Sequence, residues 1–206
     1  DEINRTSSKT QSALLEAMEE RQITVDGHTY PLPKPFIVIA TQNNVGTAGT
    51  QLLPYAQMDR FLVRLSVGYP DRDAQIAMLR ARQDENPLDR VCQVASREDV
   101  LAMQTAVRAV SVSDAILDYI TRLTMASREH PMLEVGVSPR GALCLCRMAK
   151  ARAYLLGRDY AVGEDVQDVW QDVCAHRVAA TPKARLSGVT GADILRDAGF
   201  DVAGDF

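Results

Sequence analysis

The chain has 206 residues, 46% hydrophobic and 24% charged, with a formal net charge of -4. Those values describe a globular chain with room for one sizeable core or two small ones, and they argue against disorder or a fibrous fold. The acidic balance leaves no global basic field for nucleic acid or an anionic membrane, and the longest apolar runs, such as Phe36 to Ala40, are too short to cross a bilayer. With no charged-then-apolar leader at the start, the expected compartment is the cytoplasm. The four cysteines form neither a C-x-x-C pair nor a zinc spacing, so they are expected to be buried thiols.

The chain opens on Asp1-Glu2-Ile3-Asn4-Arg5. Thr6-Ser7-Ser8 supplies N-cap chemistry for an amphipathic helix over Lys9 to Arg21, with Leu14, Leu15 and Met18 at helical spacing. Ile23 to Val25 and His28 to Tyr30 flank Asp26-Gly27 and predict a tight hairpin. Phe36 to Ala40 lacks polar alternation, which predicts a strand covered on both faces in a parallel sheet. Thr41-Gln42-Asn43-Asn44 follows it directly. Val45 to Leu53 reads as a loop, Pro54 to Arg60 as a helical turn, and Phe61 to Val67 as a second buried strand.

Beyond Tyr69-Pro70-Asp71 the periodicity turns helical, which puts a domain boundary near residue 70. Helices are predicted over Arg72 to Asp84, Arg97 to Val107, Asp114 to Ser127, Pro139 to Leu156 and Gly163 to Val178. The last carries Val166, Val169, Trp170, Val173 and Cys174 on one stripe, with acids at its start and His176-Arg177 at its end. Ser138 is the predicted N-cap of the fourth, with Pro139 at its first position. Residues 179–206 read as a loosely held tail. Two apolar strands and a hairpin do not complete a parallel sheet, so the expectation is that part of the sheet lies upstream of Asp1.

An Asp-Glu pair at the end of a buried strand is the Walker B arrangement of nucleotide hydrolases, in which Asp holds Mg²⁺ and Glu polarises the attacking water. Taken with Lys9 to Met18, Ile39-Ala40-Thr41-Gln42-Asn43 and Ala56-Gln57-Met58-Asp59-Arg60-Phe61, it closely resembles the MoxR family of AAA+ ATPases. Ser138-Pro139-Arg140, Gly157 to Tyr160, Glu164-Asp165-Val166 and His176-Arg177 resemble that family's helical lid. The resemblance covers roughly residues 1–178, with five motifs in family order.

The resemblance implies a fold, α/β followed by all-α: residues 1–70 as the later part of an AAA+ nucleotide-binding core with an incomplete parallel sheet, 71–178 as a helical lid, and 179–206 as a tail. It implies ATP and Mg²⁺ as cofactors, with Asp1 on the metal and Glu2 on the water. Asn43 matches the sensor 1 position, Arg60 the arginine finger offered to a neighbouring subunit's nucleotide, and Arg140 the sensor 2 arginine, acting in its own or a neighbouring site. Arg5 is another intersubunit contact or a solvated residue. The implied assembly is a homo-oligomeric, hexameric ring that remodels or matures client proteins in a chaperone-like role, with a von Willebrand factor type A domain protein as partner.

Three departures lie near the expected subunit seam. Asn44 stands where the family usually has proline, Val45 to Thr50 is neutral where acids are common, and Tyr55 replaces a common glutamate. None of the twelve glycines precedes a lysine, so the phosphate cradle G-x-x-x-x-G-K-[ST] is not in this sequence. The 206-residue chain is therefore expected not to hydrolyse ATP by itself. A second reading is a non-enzymatic module whose helical portion binds another protein. A motor on nucleic acid is disfavoured by the acidic balance and the lack of a basic aromatic stripe.

Overall fold

The computed structural model describes residues 1–42, 53–83 and 86–203, with side chains through 197. A short 3₁₀ turn, Ile3–Arg5, leads into helix α1, Ser8–Glu20, whose N-cap Ser7 accepts from the Thr10 amide at 3.2 Å. The strands β1, Gln22–Val25, and β2, His28–Pro31, form an antiparallel hairpin. Asp26 and Gly27 both take positive φ, 50° and 77°, as a tight hairpin turn demands. Thr24 donates its hydroxyl to Glu16 Oε1 at 2.5 Å, which lays the hairpin against α1.

Phe36 to Ala40 carries no strand assignment; it lies beside the acids and alternates, with Phe36, Val38 and Ala40 half-buried and Ile37 and Ile39 exposed. Its end is held by one backbone bond, from the Ile3 amide to Thr41 O at 3.0 Å. Phe61 to Val67 likewise forms no ladder, and Leu65 and Val67 stand exposed. A strand is defined by its neighbours, and among the described residues neither segment has one, so apolar runs suited to two-sided burial keep an open face. Val63 packs instead on the helical core, and the Arg64 amide bonds to Asp172 O at 2.9 Å.

The helical part follows the predicted order, with frayed limits. After α2, Tyr55–Met58, come α3, Arg72–Ala81; α4, Arg97–Ala109; α5, Asp114–Glu129; α6, Pro139–Leu155; and α7, Gly163–Cys174. Each of α3 to α6 starts on an Asp or Ser whose side chain accepts an amide of the first turn, as at Ser96, Ser113 and Ser138. The apolar stripe of α7 fills the centre, with Val166, Val173 and Cys174 fully buried against Tyr119, Leu123 and Leu145 of α5 and α6.

The tail reading does not describe residues 179–195. Strand β4, Ala179–Ala180, pairs antiparallel with β3, Leu133–Val135. Helices α8, Pro182–Leu186, and α9, Gly191–Ala203, follow it, and Ile194 and Leu195 are completely buried in the helical core. Trp170 donates its indole N–H to Leu195 O at 2.9 Å. Ile194 and Leu195 fasten this segment together with Ala180 and Ala184 of the same core, and full burial of each leucine or isoleucine contributes about 1.5–3 kcal/mol.

Asp165, buried at the start of α7, takes a two-pronged bond from Arg158 at 2.8 and 2.5 Å and the Val162 amide at 2.9 Å. Burial works to raise its pKa, and the guanidinium and amide outweigh burial and hold it below the ordinary value. Of the four free cysteines, Cys144 and Cys174 are buried and Cys146 is half-buried, whereas Cys92 is exposed, contrary to expectation. Among the described residues no helix is long and apolar enough to cross a membrane.

Candidate functional site

The predicted residues gather at two places along α1. At its beginning, Thr41 meets both leading acids: its hydroxyl donates to Asp1 Oδ1, and it accepts from the Glu2 amide at 2.8 Å. The Phe36 segment thus ends against the Asp-Glu pair. Glu2 Oε2 is paired with Arg5 at 2.6 Å. Gln11, in α1, donates to Ile3 O at 3.2 Å and seats this group over the early turns of the helix. Asn43 lies outside the described residues, two positions beyond Thr41.

At the other end of α1 stand the two arginines. Glu19 Oε1 lies 2.9 Å from Arg60 Nε and 2.5 Å from Arg140 Nη2. Arg60 also donates through Nη1 to Ala56 O at 2.7 Å, and its Nε contact with Glu19 is charge to charge, with the N–H off the line of a directed hydrogen bond. The two guanidiniums hold the Glu19 carboxyl below its ordinary pKa, Arg60 first and Arg140 next. From Gln11 to Glu19 the helix rises about 12 Å, so the acids and the arginines sit about two turns apart along it.

The stretch around Arg60 is fastened to the lid by Arg177, which the sequence marks as the basic end of its last predicted helix and part of a lid motif but not as a clamp. The Arg177 side chain is wholly buried. It bonds Asp59 Oδ1 at 2.6 Å, Asp59 O, Phe61 O at 2.6 Å and, through Nε, Val173 O at 2.7 Å. Ser138 Oγ donates to the same Asp59 carboxylate at 2.9 Å while accepting the Gly141 amide at 3.0 Å. Gly141 has no room for a side chain, because a Cβ there would stand 2.6 Å from Val137 Cγ1 and 3.0 Å from Arg177 Cδ. Asp59 therefore pairs with Arg177 rather than with its neighbour Arg60, and the turn bearing Arg60 is clamped to the start of α6, where Arg140 sits.

His176 completes the clamp, with its Nε2 3.0 Å from Phe61 O, so Nε2 carries the proton. Burial pushes its pKa down to about 4, and the nearby Arg177 and Arg64 charges add to this, while the Phe61 bond and Asp59 act in the opposite sense. The unfolded chain, with an ordinary histidine, binds this proton below about pH 6.5. The contribution of a neutral His176 is therefore complete above that pH and is lost as pH falls towards 4, with a slope of up to about 1.4 kcal/mol per pH unit. Urea unfolding at about pH 7.5 and about pH 5 should show a larger loss for the native chain than for His176→Gln. Equal losses would contradict it.

Among the described residues there is no group of three or more His, Cys, Asp or Glu side chains placed to hold a metal by themselves. Asp1 with the Thr41 hydroxyl is a hard-oxygen pair of the kind that suits Mg²⁺, which takes one or two carboxylates and fills its shell with water and phosphate oxygens.

Comparison with known proteins identifies both parts of the chain. Residues 1–63 match the ATPase family associated with various cellular activities, and residues 125–198 match the AAA lid domain. A core segment and a helical lid clamped to it, each matched by its own family model, define the class as AAA+ ATPase. The chain is 44% identical over 197 residues to the uncharacterized protein YeaC of Bacillus subtilis, covering 96% of this chain and 62% of that one. It is 38% identical over 190 residues to the chaperone MoxR1 of Mycobacterium tuberculosis, covering 88% of this chain and 50% of that one. A crystal structure from Cytophaga hutchinsonii assigned as an ATPase superposes with a TM-score of 0.89 at 36% identity, over 96% of this chain and 63% of that one. The chain belongs to the MoxR-type AAA+ ATPases, and it spans between half and two thirds of the length of these relatives.

Proposed function

We propose that this chain supplies the hydrolytic acids and the phosphate-directed arginines of a MoxR-type AAA+ ATPase, and that the phosphate cradle belongs to sequence outside it. The observation that carries this reading is the separation along α1: the acids sit with Thr41 at one end, and Arg60 and Arg140 meet Glu19 at the other. Two half-sites set apart along one helix suit a ring in which each nucleotide lies between subunits. Asp1 and Glu2 then serve the nucleotide on their own subunit, and Arg60 serves the neighbour's. Asn43, close in sequence to Thr41, is the sensor that positions the attacking water.

When bound, Mg²⁺ would draw charge from the phosphate oxygens. Asp1 would hold it, Thr41 fixes the Asp1 carboxylate through its hydroxyl, and Glu2 accepts a proton from the water. Arg60 is a planar, permanently charged donor fork suited to the charge that builds on the transferred phosphoryl group. Arg140 reports lid position to the same chemistry. We place the boundary between core and lid near residue 70. The exposed side chains of Ile37, Ile39, Leu65 and Val67 mark faces that the rest of the core would cover.

By likeness to a relative named as a chaperone, the whole protein is a cytoplasmic ring, hexameric by family analogy, that uses ATP hydrolysis to remodel or mature client proteins with a von Willebrand factor type A domain partner. The test begins with the 206-residue chain alone. It should show no Mg²⁺-dependent ATPase above a Glu2→Gln control, and joined to a P-loop segment it should gain Glu2-dependent turnover. Glu2-dependent hydrolysis by the chain alone would overturn the division of labour. A whole protein that hydrolyses ATP equally well with Glu2→Gln would overturn the assignment of the acids.

A further inference from the structure

Glu19 belongs to none of the roles assigned above, yet, like the Asp59–Arg177 pair, it joins the core to the lid by charge. It stands in the last turn of α1, and its Oε1 contacts Arg60, just after α2, and Arg140, in the first turn of α6. Among the described residues no other carboxylate pairs with either arginine. Two guanidiniums drawn to one oxygen would repel each other without it, and with it the triad keeps a net charge of +1. Each guanidinium has five N–H donors, more than Glu19 and Ala56 engage. A monoanion thus gathers the two arginines without saturating them. What remains is a cationic, planar donor surface matched to oxygens bearing more than one negative charge.

We propose that Glu19 is a positioning residue whose carboxylate joins Arg60 of the core and Arg140 of the lid into one two-guanidinium receptor for the terminal phosphate of a nucleoside triphosphate. This rests on the reading of Arg60 as a phosphate-directed arginine. Lid and finger are then set together: a lid rotation that moves Arg140 pulls on Glu19 and, through it, on Arg60. The clamp of Arg177 on Asp59 fixes the backbone of the finger, and Glu19 fixes the direction of its side chain.

The test has a spectroscopic arm and a kinetic arm. In the 206-residue chain with ¹⁵N-labelled arginine, Glu19→Gln should shift the side-chain N–H signals of both Arg60 and Arg140. Arg140→Gln should shift that of Arg60 when Glu19 is present and leave it unmoved in the Glu19→Gln background. Signals of Arg60 that ignore both changes overturn the proposal. Glu19 is on the surface of a helix end, and Glu19→Asp serves as the conservative variant if the amide perturbs folding. In the whole protein, Glu19→Gln should lower kcat on the order of 10²-fold, as misplacement of a catalytic group does, with KM for ATP little changed and partial recovery in Glu19→Asp. An unchanged kcat overturns the proposal if Arg60→Ala is inactive. If Arg60→Ala is itself fully active, the finger assignment fails, and the receptor proposed on it fails as well, whatever the spectra show.

Discussion

Replacing Arg60 by alanine in the whole protein should lower kcat roughly 10³- to 10⁵-fold, the range that a trans-acting arginine contributes to phosphoryl transfer. On the proposed division of labour, with the cradle on the adjacent subunit, the effect should fall on kcat rather than on nucleotide affinity. The substitution should leave the fold intact. Arg60 is one side chain on a turn whose backbone carbonyls at Asp59 and Phe61 are held independently by Arg177. Steady-state ATPase measurements with circular dichroism at matched concentration separate the two effects. A variant that is folded and keeps more than about a tenth of native turnover would be incompatible with a finger.

Arg177→Ala should be the most destabilising single change in the clamp, by about 3–5 kcal/mol in urea unfolding. The guanidinium is wholly buried and serves the Asp59 carboxylate and the carbonyls of Asp59, Phe61 and Val173 together. Its removal leaves a partly buried carboxylate and several acceptors without donors, and alanine cannot refill the volume. Arg177→Lys should recover only part of the loss, since an ammonium cannot reproduce the planar fork. Loss of less than about 1 kcal/mol in the alanine variant would mean that the clamp is worth no more than an exposed ion pair.

The two kinds of residue differ in how far a sequence can disclose them. The stripe of Val166, Val169, Trp170 and Val173 repeats within one helix, so its burial was legible from spacing alone. Asp1 and Glu2 are neighbours in the chain, but the residue that holds both, Thr41, lies 40 and 39 positions on, and no spacing marks it. Asp59 and Arg177 are 118 positions apart, and Asp59 and Ser138 are 79 apart; nothing local marks them as partners. Glu19 is one acid among several on α1, alongside Glu16 and Glu20, and only the arrival of two arginines from elsewhere distinguishes it. Phe36 to Ala40 reads as a strand covered on both faces but forms none and leaves Ile37 and Ile39 exposed, because a ladder requires neighbours that an isolated run cannot specify. The fate of residues 179–195 was misjudged because Ile194 and Leu195 are few in number, and their weight depends on the pocket they enter.

The central claim is that the acids and the arginines of one chain serve different nucleotides. Mixing whole-protein subunits carrying Glu2→Gln with subunits carrying Arg60→Ala, after dissociation and reassembly, tests it most directly. Each variant alone should be inactive, and the reassembled mixture should regain part of the native ATPase, because some interfaces then pair an intact Glu2 with an intact Arg60 from next door. A mixture that demonstrably co-assembles and stays as inactive as its components would contradict the claim.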